Sequence, residues 1–252
     1  MPAFQDKVVW ITGAGSGIGR AVALMFAADG ATLVLIGRRA SLLKSVADDV
    51  RAGGVSAEAI ALDICQREQV VAAAAALLER HRRVDVLVNS AGMNVCSRSL
   101  AALTGEGWDQ VIQTNLTGAF NLIQAVLPSM REQRDGLIVN VSSMAAKRVS
   151  GIAGAAYTSS KHGMNGLSLS VVAEEGSNGI RCTALMSGVV DTEFLHKRAV
   201  TYTAEERARI QQPEDIAQVV RFLALLPKRC SVPEIQVVPT LPRAPKAGEK
   251  MF

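Results

Sequence analysis

Short runs of apolar residues alternate along the chain with longer segments in which apolar residues recur every three or four positions. The apolar runs predict seven β-strands, near residues 7–12, 32–37, 57–62, 84–89, 136–142, 180–186 and 234–238. The segments between these runs have the spacing of amphipathic helices. Continuous apolar runs such as TLVLIG and DVLVN are typical of strands that are buried on both faces of a parallel sheet. The alternation therefore predicts one α/β domain, a doubly wound, seven-stranded parallel sheet with helices on both faces.

The composition fits this architecture and narrows the class of protein. Hydrophobic residues make up 49% of the 252 residues and aromatic residues only 4%, so we expect a core of Ala, Val, Leu and Ile. No apolar stretch reaches the length of a membrane-spanning helix, and we expect a cytoplasmic protein without a membrane partner. The net charge of +4 suits anionic ligands, but no basic block indicates a nucleic-acid partner.

The spacing of the cysteines and the lack of a linker add two expectations. Cys65, Cys96, Cys182 and Cys230 are widely spaced and form no C-x-x-C pair, so neither a metal site nor a disulfide framework is predicted. No repeat or flexible linker divides the chain. We therefore expect one domain over residues 1–240, followed by a Pro- and Lys-rich tail over 241–252.

A glycine-rich turn follows the first predicted strand. The segment TGAGSGIG, residues 12–19, lies between that strand and an amphipathic helix, which is the context that a dinucleotide-binding motif requires. Gly13 permits a tight turn, and Gly17 and Gly19 allow the backbone to approach a pyrophosphate and the helix to pack on the strand. The helix N-terminus offers free amides to the same anion. The turn therefore predicts a dinucleotide site.

Candidate acid/base chemistry lies in the segment AYTSSK. Tyr157 and Lys161 stand four residues apart, so on a helix their side chains share one face. A tyrosine with a pKa of about 10 is a poor acid or base at neutral pH, but a fixed cation beside it favours the phenolate and lowers that pKa. Ser143, upstream in IVNVSS, can hydrogen-bond the reacting oxygen. The Tyr–Lys spacing also occurs by chance on helix surfaces, and the glycine-rich turn is what favours the catalytic interpretation.

These segments, together with NSAG at 89–92 and NLTG at 115–118, resemble the short-chain dehydrogenase/reductase family over roughly residues 7–240. The resemblance implies a Rossmann fold and a catalytic set of Asn115, Ser143, Tyr157 and Lys161. Tyr157 would donate a proton to a carbonyl oxygen or accept one from an alcohol, and Ser143 would bind that oxygen. Lys161 would favour the phenolate and bond the nicotinamide ribose, and Asn115 would hold a water that links Lys161 to solvent. Ser142 is the alternative to Ser143, whose distance from the tyrosine matches the family better.

The resemblance also implies a set of cofactor contacts, which follow the carboxyl ends of the predicted strands. These are Thr12, Gly13, Ser16, Gly17, Ile18, Gly19, Arg38, Arg39, Asp63, Ile64, Asn89, Ala91, Gly92, Tyr157, Lys161, Gly188, Val190 and Thr192. An NAD enzyme usually has an acidic residue after the second strand. Here Arg38 and Arg39 follow Gly37 instead, which points to NADP(H), because a guanidinium pairs with a 2′-phosphate. The alternatives are that these arginines are solvated charges and that Asp63 only caps the next helix.

Substrate contacts are less specific in the sequence. Residues near the family's substrate positions are apolar and indicate a pocket for a ketone or aldehyde, although each could equally belong to the core: Met93, Val95, Met144, Val149, Met186 and Phe194. Residues 191–212 are expected to form a lid. Ser187 stands where the family usually has proline, so we expect the loop after the sixth strand to be less preorganised.

Three functions remain open from the sequence. The first is an NADP(H)-dependent oxidoreductase that acts on a small carbonyl compound or secondary alcohol. The second is a 3-oxoacyl reductase whose substrate is carried on acyl carrier protein or CoA. The third, of a different class, is a non-catalytic NADP(H)-sensing or scaffold protein. The resemblance further implies a homodimer or homotetramer that associates through helices near 100–130 and 155–175.

Overall fold

A parallel sheet forms the centre of the molecule, for which the computed structural model describes residues 2–149, 151–196 and 202–241. The described strands are β1 (Val8–Thr12), β2 (Thr32–Gly37), β3 (Ala57–Ala61), β4 (Val86–Asn89), β5 (Gly136–Ser143), β6 (Ile180–Ser187) and β7 (Glu234–Val237). They lie in the order β3-β2-β1-β4-β5-β6-β7, and every neighbouring pair is parallel. The predicted strands and fold class are thus confirmed.

Helices connect successive strands. The described helices are α1 (Gly17–Ala28), α2 (Ala40–Ala52), α3 (Arg67–His81), α4 (Gly105–Ile112), α5 (Gly118–Gln133), α6 (Ala155–Glu175), α7 (Glu193–His196), α8 (Ala204–Arg209) and α9 (Pro213–Leu225). None of the helices in the described ranges combines the length and apolar character needed to cross a membrane. Residues 197–201 of the predicted lid and 242–252 of the predicted tail lie outside the described residues.

Two apolar cores flank the sheet, one on each face. Because side chains alternate along a strand, Val9 and Ile11 of β1 enter the core beneath α1, α2 and α9, whereas Val8 and Trp10 enter the core beneath α3, α5 and α6. The side chains of Ile11 and Trp10 are fully buried. Both faces of β1 are therefore covered, which explains why its sequence is a continuous apolar run.

The order of the strands creates a crevice at the carboxyl ends of β1 and β4. The chain winds from β1 outward to β3, then returns to place β4 on the other side of β1. In such sheets ligands bind where the strand order reverses. The hydroxyl oxygen of Thr12 accepts hydrogen bonds from the backbone amides of Ser90 and Ala91, both at 3.0 Å, and so joins the two strand ends. These hydrogen bonds thus hold the two strand ends together at the base of the crevice.

Candidate active site

The glycine-rich turn packs so closely that side chains would not fit. Gly13 has a φ of +66°, and a Cβ there would lie 3.0 Å from the backbone of Ala91. A Cβ on Gly19 would lie 2.4 Å from the carbonyl oxygen of Gly13, because α1 folds back onto the turn. Helix α1 begins at Gly17, which lines the crevice, and the Ser16 side chain does not cap its first amides, which have no intrahelical partners. The turn can therefore bring backbone amides against an anion.

One cavity of about 420 Å³ extends from this turn along the carboxyl edge of the sheet. Its lining brings together most of the predicted cofactor and catalytic residues: Gly13, Ser16, Gly17, Ile18, Arg38, Arg39, Asp63, Ile64, Ala91, Gly92, Ser143, Tyr157, Lys161, Gly188, Val190 and Thr192. Motifs that lie far apart in the sequence thus share one site.

The two arginines after β2 lie at one end of the cavity and differ in their partners. Within the described residues, Arg38 forms no hydrogen bond or ion pair. Arg39 donates to the hydroxyl oxygen of Ser16 at 2.7 Å and pairs with the carboxylate of Glu193 at 3.2 Å. Asp63 also lines the cavity and accepts a hydrogen bond from the amide of Cys65 at 3.0 Å. This end therefore offers one unpaired and one paired guanidinium.

Helix α6 places Tyr157 and Lys161 at the other end of the cavity, one helical turn apart. The Lys161 Nζ atom lies 5.7 Å from the centre of the Tyr157 ring and donates to the carbonyl oxygen of Val141 at 2.8 Å. The lysine is 4% exposed, and this burial lowers its pKa from 10.5 to about 8. The helical spacing predicted from the sequence thus does bring the phenol and the amine together.

The two candidate serines at the end of β5 have different surroundings. The hydroxyl of Ser142 is committed, because it donates to Asn165 Oδ1 at 2.7 Å in the interior. The hydroxyl oxygen of Ser143 accepts from the amide of Ala145 at 3.1 Å, and the side chain is partly exposed to the cavity. The Ser143 hydroxyl therefore keeps its own proton available for a ligand in the cavity.

Asn115 lies behind the cavity, in a π-helical segment between α4 and α5 (Gln113–Thr117). Its amide nitrogen donates to the Met93 carbonyl at 2.9 Å and to the Ser160 hydroxyl at 3.0 Å, and its Oδ1 accepts from the Met93 amide at 2.7 Å. A Cβ on Gly92 would lie 3.5 Å from this Oδ1 and 3.9 Å from Lys161 Nζ. The glycine therefore leaves room beside both polar atoms.

Other predicted cofactor residues support the cavity without lining it. The Thr12 hydroxyl joins the two strand ends, and the absence of a side chain at Gly19 lets α1 pack on the turn. The Asn89 amide, which is buried, donates to Asn140 Oδ1 at 2.9 Å and links β4 to β5. The structure therefore places these residues, like Asn115, one layer behind the cavity wall.

Most of the predicted substrate residues lie outside the cavity. Met186 is fully buried in β6, with its sulfur 3.2 Å from the amide of Asn165, because alternation turns it away from the site. Val149 is 74% exposed on a loop, and Val95 and Met144, although partly buried, are also absent from the lining. Met93 and Phe194, the remaining predicted residues, do line the cavity.

The loop after β6 is anchored although Ser187 replaces the usual proline. The Gly188 amide donates to the Val237 carbonyl at 2.8 Å and lies 3.1 Å from Gln211 Oε1. Val190 forms a parallel bridge with Gln211, and Thr192 packs against Gly17 of the glycine-rich turn. Hydrogen bonds thus hold the loop where the sequence led us to expect weaker preorganisation.

Helix α7, in the described part of the predicted lid, lies at the Tyr157 end of the cavity. The ring of Phe194 lies 5.8 Å from the ring of Tyr157, and Leu195 is buried against the same cavity. Several lining residues were not predicted as contacts, including Ser90, Asn94, Thr114 and Glu193. Glu193 directly precedes the predicted Phe194, and this adjacency is the sequence signal that could have identified it.

Comparisons with known proteins identify the family and its fold. The family model for short chain dehydrogenase matches residues 7–202. The 3-oxoacyl-(acyl-carrier-protein) reductase FabG of Thermotoga maritima is 34% identical over 226 residues, covering 87% of this chain and 91% of that protein. A metagenomic short-chain oxidoreductase in complex with NADP has a TM-score of 0.82 at 34% identity, with 94% of this chain and 99% of the other covered. An alcohol dehydrogenase from the archaeon Thermococcus sibiricus, complexed with 5-hydroxy-NADP, has a TM-score of 0.85 at 30% identity, with 95% and 99% covered.

Proposed function

Because this chain belongs to the short-chain dehydrogenase family, we propose that it is an NADP(H)-dependent oxidoreductase that interconverts a carbonyl compound and an alcohol. The observation that carries the proposal is the set of residues that line the two ends of the cavity. Tyr157, Lys161 and Ser143 line one end, and the glycine-rich turn and Arg38 line the other. Cofactor binding and proton transfer can therefore take place in one site.

The residues at the cofactor end fit a dinucleotide that carries a 2′-phosphate. The close packing at Gly13 and Gly19 exposes backbone amides to a pyrophosphate, and the α1 N-terminus adds favourable electrostatics. The unpaired guanidinium of Arg38 can bind the additional phosphate, which an acidic residue at this place would repel. NADP-bound complexes among the structural relatives support this assignment. When bound, the cofactor supplies or accepts the hydride.

The residues at the catalytic end provide proton transfer and charge stabilisation. In the reducing direction the Tyr157 hydroxyl donates its proton to the oxygen of the substrate, while Ser143 donates a hydrogen bond to that oxygen and stabilises its developing charge. The Lys161 ammonium, held by the Val141 carbonyl, stabilises the phenolate that results. A water beside Lys161 and Asn115, where Gly92 carries no side chain, would replace the proton. Oxidation of an alcohol reverses these transfers.

Similarity to the Thermotoga reductase favours a second candidate, reduction of 3-oxoacyl thioesters. Met93, Phe194 and Leu195 give the catalytic end an apolar lining that would suit an acyl chain as well as a simple ketone. Turnover that requires a thioester carried on acyl carrier protein or CoA would favour this candidate over a small-molecule reductase.

Parallel fluorescence titration with NADPH and NADH, followed by a screen of ketones, aldehydes and 3-oxoacyl thioesters, tests the proposal. We expect tighter binding of NADPH and NADPH oxidation with at least one carbonyl class. Tighter binding of NADH would contradict the cofactor assignment. Cofactor binding without turnover across the screen would favour the sensing or scaffold function.

The proposal extends to the domain bounds, the location and the oligomeric state of the enzyme. We propose one catalytic domain over residues 1–240 with a lid at 191–212 and a tail at 241–252, in a cytoplasmic homodimer or homotetramer. Trp108 and Leu169 support the association through α4 and α6, because these large apolar side chains are 37% and 44% exposed. Light scattering of the purified protein should give a mass of two or four chains, and a monomer would contradict it.

A further inference from the structure

The ion pair between Arg39 and Glu193 connects the cofactor end of the cavity to the lid. Arg39 follows β2, and Glu193 is the first residue of α7. The next residue of α7 is Phe194, whose ring packs near the ring of Tyr157. The same guanidinium also donates to Ser16 in the glycine-rich turn. One arginine thus contacts both the phosphate-binding turn and the start of the lid.

We propose that Glu193 is a specificity-determining residue, whose carboxylate competes with the 2′-phosphate of the cofactor for Arg39. The proposal rests on the proposed function, since it concerns the same cofactor. NADH lacks the phosphate and leaves the Arg39–Glu193 pair intact. NADPH must displace the carboxylate to engage Arg39, and this exchange reduces the advantage that the two arginines give to NADPH.

The exposure of the pair makes this exchange feasible. The side chains of Arg39 and Glu193 are 57% and 65% exposed, so the pair is screened by water and salt and contributes little stability. A phosphate carries more charge than a carboxylate and accepts two parallel hydrogen bonds from a guanidinium, so it is the stronger partner. Arg38, which has no such competitor among the described residues, binds the phosphate without an exchange.

The competition predicts that substitution of one glutamate in the lid changes NADPH binding and substitution of another does not. Glu193→Gln removes the competing charge, whereas Glu205→Gln makes the same change at an exposed position on α8 that does not line the cavity. We expect Glu193→Gln to tighten NADPH binding by about two- to fivefold, the range of an exposed ion pair, and to leave NADH binding unchanged. Glu205→Gln should change neither.

Titration calorimetry with adenosine 2′,5′-bisphosphate and AMP isolates the phosphate from the nicotinamide and from catalysis. Glu193→Gln should tighten the bisphosphate by the same factor and leave AMP unchanged. The gain should disappear in an Arg39→Gln background, and it should shrink in about 1 M salt, where charges are screened within about 3 Å. The Arg39→Gln background separates competition for Arg39 from general repulsion, and the salt dependence shows that the gain is electrostatic.

Three results would overturn the competition. They are equal effects of Glu193→Gln on NADPH and NADH, the same gain from Glu205→Gln, or a gain that persists without Arg39. A wild-type preference for NADH would instead contradict the proposed cofactor. In that case the comparison of bisphosphate with AMP would still decide whether Glu193 competes for Arg39.

Discussion

The two ends of the cavity are built from similar polar groups in opposite surroundings. At the catalytic end, Lys161 and Asn115 are 4% and 0% exposed, and hydrogen bonds to backbone and side-chain atoms fix both. At the cofactor end, Arg39 and Glu193 are more than half exposed and bond through side chains alone. Buried groups provide fixed geometry for chemistry, whereas exposed charges provide selection that salt and single substitutions can adjust.

This contrast predicts that substitutions at the catalytic end change turnover strongly and cofactor choice little. Substitutions at the cofactor end should do the reverse. The experiments below test that separation, in order of decreasing expected effect.

Replacing the buried lysine should strongly reduce turnover. Lys161→Met keeps an apolar chain in a buried position, so we expect a folded protein whose kcat falls by about 10²–10⁴-fold, the typical contribution of positioned acid/base groups. Lys44→Met, at a lysine that is 74% exposed on α2, is the matched control and should keep wild-type turnover. Steady-state kinetics with NADPH checks both. A Lys161→Met enzyme with near wild-type kcat would show that the ammonium is not needed.

The same lysine should make stability depend on pH. Burial lowers the pKa of Lys161 from 10.5 to about 8, so below pH 8 the amine is charged in both states and its burial costs about 3 kcal/mol. Between pH 8 and 10.5 the folded protein loses this proton first and the cost is relieved. The free energy of unfolding of the wild type should therefore rise relative to Lys161→Met across this interval, as measured by urea denaturation. A fall would contradict a buried ammonium that has no ion-pair partner among the described residues.

The glycine-rich turn should tolerate no side chain at its most crowded position. Gly19→Ala would place a Cβ 2.4 Å from the Gly13 carbonyl oxygen, and we expect a loss of about 1–3 kcal/mol in the free energy of unfolding and weaker binding of both NADPH and NADH. Gly166→Ala is the control, because α6 leaves open space there and alanine favours a helix. Thermal denaturation should show stability changes of opposite sign, and titration should show weaker cofactor binding only in Gly19→Ala. Unchanged binding in Gly19→Ala would contradict the close approach.

The unpaired arginine should affect the choice of cofactor alone. Arg38→Asp exchanges a cation for an anion where the 2′-phosphate is proposed to bind, and we expect NADPH to weaken by about tenfold or more, since a hydrogen bond to a charged group contributes roughly 1.5–3 kcal/mol. NADH, titrated on the same variant, is the internal control and should change little. Equal weakening of the two cofactors would mean that Arg38 supports the fold or the adenosine instead.

The sequence was sufficient for the strands and helices and for the placement of Tyr157 beside Lys161, because both depend on local periodicity. Continuous apolar runs identified β1 and β2 as buried strands, and the four-residue spacing placed Tyr157 and Lys161 on one face of α6. The glycine spacing likewise located the turn. In each case the signal lies within about twenty residues, where backbone geometry determines which side chains meet.

Contacts between distant segments could not be predicted in this way. Alternation along β6 gives Met186 a definite face, but the sequence does not say which face adjoins the cavity, and the structure turns it into the core. Arg39 and Glu193 are separated by 154 positions, and no local pattern relates them. The role of Asn89 as a link to Asn140 depends on the pairing of β4 with β5. Such features become visible only when the strand order is known.

The central claim, that Tyr157 is the proton donor of an NADPH-dependent enzyme, is tested most directly by Tyr157→Phe. The substitution removes one hydroxyl and keeps the ring that packs against Phe194. We predict that the variant binds NADPH with wild-type affinity, while kcat for carbonyl reduction falls by about 10²–10⁴-fold. Turnover within a few-fold of the wild type would contradict the account, because the acid would then lie elsewhere.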